Sequence, residues 1–171
     1  MPQQYYRVET YSPCRSIGFL LKRAHALIVE HIEPELAQAE LTFTQYVVLV
    51  HLRDRPAVSA TVLCEELCHD SGALTRVLDQ LEARDLIQRE RSREDRRSLL
   101  LQLTERGRQE LESLLPRVID RLNETLSHFS RADLNELTRL LTKLIGPLES
   151  SAAGPLGSKS DTELSVPGEL T

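Results

Sequence analysis

The chain has 171 residues, 40% of them hydrophobic and 27% charged, with a formal net charge of -5. That length suits one domain, or one domain with an extension, and is enough for a real core. No apolar run is long enough to span a bilayer, and "MPQQYYRVETYSPCRS" has no apolar stretch followed by a cleavage site, so a cytoplasmic location without membrane association is expected. Three scattered cysteines, Cys14, Cys64 and Cys68, argue against a disulfide-stapled secreted fold.

In chain order, Ser12-Pro13 predicts the start of a first helix, with Ser12 at the N-cap and Pro13 in the first turn. Ile17, Leu20, Leu21, Ala24, Leu27, Ile28 and Ile32 follow at helical spacing to about Glu33 or beyond; Pro34 should break or kink this helix, with Leu36 and Ala37 as its possible continuation. Thr42-Phe43-Thr44-Gln45 reads as a capping box opening a second helix, which Asp54-Arg55-Pro56 ends. Ser59 caps a short third helix. Asp70 caps a fourth, with Leu74, Val77, Leu78 and Leu81 on its apolar face. Two short helices joined by so tight a turn predict a helix-turn-helix.

"LIQRE" and "SLLLQL" then predict two strands, the arms of a β-hairpin or wing. Thr104 caps a long fifth helix, where Pro116 should introduce a kink. Ser130 to Asp133 caps a sixth helix, closed by Gly146-Pro147. From about Ser150 the chain is rich in Ser, Gly and Pro, and residues 150–171 are expected to be a disordered tail.

The segment between the strands stands out in an acidic chain. From Gln88 to Ser98 there are five arginines and three acidic residues. A basic tip on an acidic body can find DNA while the body limits non-specific binding. The fourth helix would enter the major groove with its N-terminal end, which carries Ser71, Gly72, Ala73, Thr75 and Arg76. Ser71 and Thr75 can bond phosphate or base, and Arg76 can clamp phosphate or take guanine bidentately. Gly72 would let the backbone approach the duplex. Asp70 should cap the helix rather than touch DNA. In the wing, Arg97, with Arg96 beside it, is the first choice for insertion into a minor groove. Asp95 would orient a guanidinium in a bidentate pair. Arg91 and Arg93 would act as phosphate clamps.

"LTFTQYVVLVHL", "LCEELCHDSGALTRVLDQLEARDLIQRERSREDRRSLLLQLTERG" and the two closing helices together resemble the MarR family of bacterial transcription regulators, over roughly residues 15 to 147. The Asp-x-Arg of the wing followed by a strand and "LTERG" is the most specific part. The fold class implied is α+β, mostly helical: a winged helix-turn-helix with N- and C-terminal dimerisation helices. The winged lobe would occupy about 42–104, and the dimer base about 13–38 and 105–147, within a single unit over 1–149. The resemblance implies a homodimer reading a near-palindromic operator with two recognition helices about one helical turn (~34 Å) apart. It also implies a repressor released by a small aromatic or phenolic effector. Asp85 departs from the family, which usually has Gly there, so that turn should be strained or reshaped.

Other residues admit competing roles. Cys14, placed in the first turn of a helix, would have an activated thiolate, with Tyr11 near enough to bond an oxidised sulfur. That suggests an oxidant sensor, against a packing cysteine at the dimer base. Cys64, Cys68 and His69 have a spacing that could hold a metal, but Cys64 falls on the inner face, and packing is favoured. His25, His31 and His51 could line a ligand pocket. No phosphate-binding Gly loop, HExxH or nucleophile elbow occurs, so neither an enzyme nor a cofactor is expected. A dimeric interaction adaptor with a vestigial helix-turn-helix is the alternative from another class.

Overall fold

The computed structural model describes residues 5–67, 70–91 and 99–152. The chain divides into two compact units, one ending at Ser127 and the other beginning at His128. The first contains helix α1 (Ile17–Gln38), α2 (Phe43–Asp54), strand β1 (Val58–Ser59), α3 (Ala60–Glu66), α4 (Ser71–Ala83), β2 (Ile87–Arg91), β3 (Leu99–Leu103) and α5 (Glu105–Leu126). The second contains α6 (Arg131–Ala152).

Most helix starts are set by one side chain each. Thr42 accepts from Gln45 N while the Gln45 side chain accepts from Thr42 N, a complete capping box. Ser59 accepts from Val62 N, and Asp70 Oδ1 accepts from both Gly72 N and Ala73 N at 3.0 Å. Thr104 Oγ1 accepts from Gly107 N and donates to Asp85 O at 2.6 Å, so one hydroxyl caps α5 and ties it to the turn after α4.

Two helices end on left-handed residues that are not glycine. At the end of α1, Glu40 has φ 52°, and Leu41 N bonds back to Leu36 O. At the end of α4, Asp85 has φ 56°, and Leu86 N bonds Leu81 O while Asp85 N bonds Glu82 O. Both are Schellman turns, each closed by a buried leucine pair, Leu36 with Leu41 and Leu81 with Leu86. The hydrophobic closure and the recovered carbonyls offset the cost of a Cβ at positive φ. The departure at Asp85 therefore keeps the turn that glycine would make.

The sheet has three antiparallel strands in the order β1-β3-β2. Sequence periodicity predicts only the hairpin. β1 is two residues long, too short to show alternation, and pairs Val58 with Leu101. In the hairpin Ile87 faces Leu103 and Arg91 faces Leu99. The core gathers Ile32 and Leu36 from α1, Leu49 and Leu52 from α2, Leu63 from α3, Leu74, Leu78 and Leu81 from α4, Leu101 from β3, and Leu111 and Leu114 from α5.

The expected start of α1 and the expected end of α6 need correction. Ser12-Pro13 does not open α1. Pro13–Arg15 form a three-residue 3-10 turn, and α1 begins at Ile17 with Ser16 as its N-cap, accepting from Phe19 N. The Tyr6 hydroxyl accepts from Ile17 N at 2.8 Å, satisfying another donor at that end. Helix α1 runs on through Pro34, and α5 through Pro116. Gly146-Pro147 does not close α6, which runs on to Ala152. Proline restricts the residue before it largely through that residue's Cβ, which Gly146 lacks, and Ser150 Oγ donates to Gly146 O at 3.0 Å. Helix thus continues past residue 150, where the tail was expected to begin; residues 153–171 lie outside the described residues.

Candidate nucleic-acid interface

The N-terminal end of α4 is a free polar surface. Ser71, Gly72, Ala73, Thr75 and Arg76 are all exposed, while Leu74 and Leu78 anchor the opposite face in the core. The Asp70 carboxylate is spent on two backbone N–H groups, which keeps its charge on the cap. A Cβ at Gly72 would sit 3.2 Å from that carboxylate oxygen, so the residue keeps the cap unobstructed as well as leaving space outside. Thr75 Oγ1 donates to Ser71 O at 2.8 Å. Its lone pairs stay available, but its proton must rotate away before it can be donated to phosphate.

Three side chains hold this helix in place, and the sequence alone marks none of them for that role. The buried Gln45 of α2 donates to Gln80 of α4 at 3.0 Å. Arg84, at the C-cap of α4, donates to Ala39 O and Glu40 O at 3.0 and 2.5 Å. It thereby places a positive charge on the carbonyl end of α1, where the helix dipole favours one. Arg89, on β2, reaches Asp79 Oδ1 at 2.6 Å and Glu82 Oε2 at 2.7 Å, both on α4. Partners of this kind lie between 7 and 45 residues apart, and no local pattern announces them. Arg89, one of the five arginines between Gln88 and Ser98, thus has its guanidinium matched by two carboxylates of α4.

Arg91 is exposed at the end of β2. Arg93, Asp95, Arg96 and Arg97 lie outside the described residues, as do Cys68 and His69.

Between α1 and α2, His25 stacks edge-on against Phe43 with centroids 5.3 Å apart, and Phe43 lies beside Tyr46 at 6.4 Å. Burial raises the Tyr46 phenol above its ordinary pKa, against the opposing pull of Arg53. His31 Nε2 lies 3.7 Å from Glu124. His51 Nε2 lies 2.6 Å from Glu66, which also pairs with Arg55. Below them, the buried Glu35 of α1 meets Arg121 at 3.1 Å and Arg117 at 4.0 Å, both on α5. Cys64 packs half-buried against the core. Cys14 is exposed in the 3-10 turn, ahead of α1. It therefore lies outside the first turn of α1, where the sequence places it.

A three-stranded sheet whose β2–β3 hairpin lies beside the capped helix α4 is the arrangement of the winged helix. A family model described as the MarR family matches residues 41–99. The HTH-type transcriptional regulator MgrA of Staphylococcus aureus is 35% identical over 107 residues, covering 61% of this chain and 70% of that one. The chain belongs to the MarR family. Another MarR-type relative, the organic hydroperoxide resistance transcriptional regulator of Bacillus subtilis, is 37% identical over 89 residues, 52% of this chain and only 60% of its own length. Among solved structures, BpsR of Bordetella bronchiseptica, studied for the regulation of its DNA binding by 6-hydroxynicotinic acid, superposes with a TM-score of 0.71 at 29% identity, over 80% of this chain and 97% of that one. The repressor CouR bound to a 23-mer DNA duplex gives 0.69 at 30% identity, over 76% and 92%. These MarR relatives are transcriptional regulators. Among the described residues, no helix is long and apolar enough to cross a membrane.

Proposed function

We propose that the chain is a homodimeric DNA-binding transcriptional regulator, a repressor released from a near-palindromic operator by a small aromatic or phenolic ligand. The observation that carries the reading is the N-terminal end of α4, with its capping charge consumed internally and Ser71, Gly72, Ala73, Thr75 and Arg76 turned to solvent. In this reading those residues enter a major groove. Arg91 and Arg93 clamp phosphate, and Arg96 and Arg97, oriented by Asp95, serve the minor groove.

Dimerisation is supported by what one copy leaves uncovered. Ile17, Leu20, Leu21 and Leu27 of α1 are exposed, and so, on α6, are Leu137, Leu140, Ile145 and Leu148. Apolar faces of that extent are usual at an interface between subunits. The aromatic set of His25, Phe43 and Tyr46 is the effector-pocket candidate, and BpsR supplies the precedent of an aromatic acid acting on DNA binding. Release by oxidation of Cys14 ranks below this, because that cysteine precedes the helix expected to activate it.

The test is a gel-shift titration against genomic fragments retained by the purified protein. Binding should fall steeply as salt rises, as expected of a protein making several phosphate contacts. Absence of duplex binding even at low salt would favour the adaptor. Phenolic acids and organic peroxides added to the preformed complex then separate the two triggers. Release by peroxide that vanishes in Cys14→Ser would overturn the ligand-released reading.

A further inference from the structure

Arg89 is the one wing-strand arginine whose partners are described, and they lie on the recognition helix. Its two terminal nitrogens reach different carboxylates, Asp79 at 2.6 Å and Glu82 at 2.7 Å, one turn apart on the same face of α4. The guanidinium is a rigid planar fork, so two short bonds to two anchors fix its direction as well as its distance. Arg89 also pairs with Leu101, a fully buried residue of the central strand, so its backbone cannot drift. Arg76, the α4 cation offered to DNA, lies three residues before Asp79, where the two side chains can meet on a helix surface.

Stability alone is a poor explanation for this bridge. The side chains of Arg89, Asp79 and Glu82 are 27%, 58% and 40% exposed, and ion pairs so open to solvent add little to folding. Neutral side chains would also remove two negative charges from a helix that is to approach phosphate.

We propose that Arg89 is a positioning residue for DNA recognition: by gripping Asp79 and Glu82 it fixes the root of the wing against α4, so that both elements meet the duplex in one register. The proposal rests on the DNA-binding reading above. Asp79 and Glu82 are its anchors, retained despite their charge because the geometry they impose matters more to sequence-specific binding than the repulsion they add.

The decisive variant is the double neutralisation Asp79→Asn with Glu82→Gln. It leaves Arg89 in place and makes the chain more positive by two charges. Electrostatics alone predicts tighter binding to any DNA. A brace predicts the opposite for a specific site. The probes are a duplex selected from a random-sequence pool by the unaltered protein, and a duplex of unrelated sequence. The double variant should lose about tenfold or more on the selected duplex and hold or gain on the unrelated one, so the specificity ratio collapses. Arg89→Ala should lose specificity in the same way, and Arg89→Lys, a single point charge unable to fork, should recover only part of it. Equal or tighter binding of the double variant to the selected duplex overturns the brace while leaving DNA binding intact. Equal losses on both duplexes for Arg89→Ala, reversed by adding the double neutralisation, would make Arg89 a charge neutraliser and also overturn it. If the unaltered protein selects no duplex, the DNA-binding reading falls and this proposal falls with it.

Discussion

The winged lobe and the helices flanking it solve the same packing problem in opposite ways. In the lobe, the apolar faces of α2, α3, α4 and the sheet close on one another, and Leu49, Leu63, Leu81 and Leu101 are fully buried. Its polar residues find partners across elements, as Gln45 does with Gln80 and Thr104 with Asp85. The N-terminal part of α1 is unlike this: from Ile17 to Leu27 every residue is exposed, leucines and phenylalanine included. α6, taken by itself, buries none of its residues from Arg131 to Ser150. The lobe closes its core within one chain, whereas the N-terminal half of α1 and the helix α6 leave apolar side chains in solvent.

The largest expected effect breaks the lobe at its tightest point. A Cβ added at Gly107 would lie 1.9 Å from the carbonyl oxygen of Leu86. That carbonyl accepts from Thr104 N, so it cannot simply swing aside. Gly107→Ala should destabilise the lobe by about 3 kcal/mol, the upper end for overpacking, or misplace the start of α5. Chemical denaturation followed by circular dichroism measures this, and a midpoint equal to that of the unaltered chain would show that the contact relaxes freely.

Next comes the assembly side of the contrast. Leu140→Glu on α6 puts a charge on an exposed apolar stripe. Sedimentation should then show a dimer become a monomer while the helical signal of the lobe is retained. A dimer that survives this change, and also Leu20→Glu on α1, would remove those faces from the interface. A smaller effect is expected from Arg76→Ala. Affinity for a bound duplex should fall by about 1–3 kcal/mol, and the slope of log affinity against log salt should shrink by about one if Arg76 holds phosphate. An unchanged affinity would show that α4 does not enter the groove by this end.

What could be read in the sequence divides along the same line. Caps are local, because a side chain bonds a backbone two or three residues ahead, and so Thr42, Ser59, Asp70 and Thr104 were legible, as was the helix-turn-helix they delimit. Ser12 misled because Ser-Pro has the form of a helix start, while Ser16, with no proline after it, has the real one. β1 was too short for alternation to show. The partners of Arg84 and Arg89, and the reason for Gly107, depend on chain segments that meet only after folding. The exposed start of the recognition helix was anticipated residue by residue, whereas the bonds that hold it there were not.

The smallest effect concerns the start of α6, and it tests whether that helix carries its own local order. Ser130 and Asp133 form a reciprocal cap: Ser130 Oγ accepts from Asp133 N, and Asp133 Oδ2 accepts from Ser130 N at 3.0 Å and from its hydroxyl at 2.6 Å. These bonds favour the ionised carboxyl, hydroxyl first and backbone second, and they lower its pKa from the ordinary 3.8. A carboxyl with a lowered folded-state pKa stabilises the folded form above its ordinary value, and that contribution is lost as pH falls through the lowered one. Carbon-detected NMR titration of Asp133 should therefore give a midpoint below 3.8, rising towards it in Ser130→Ala. The group is fully exposed, so overall stability should hardly move. A normal midpoint in the unaltered chain would mean that α6 takes its starting point from assembly rather than from its own cap, and the contrast between a self-sufficient lobe and helices that need a partner would then reach down to the first turn.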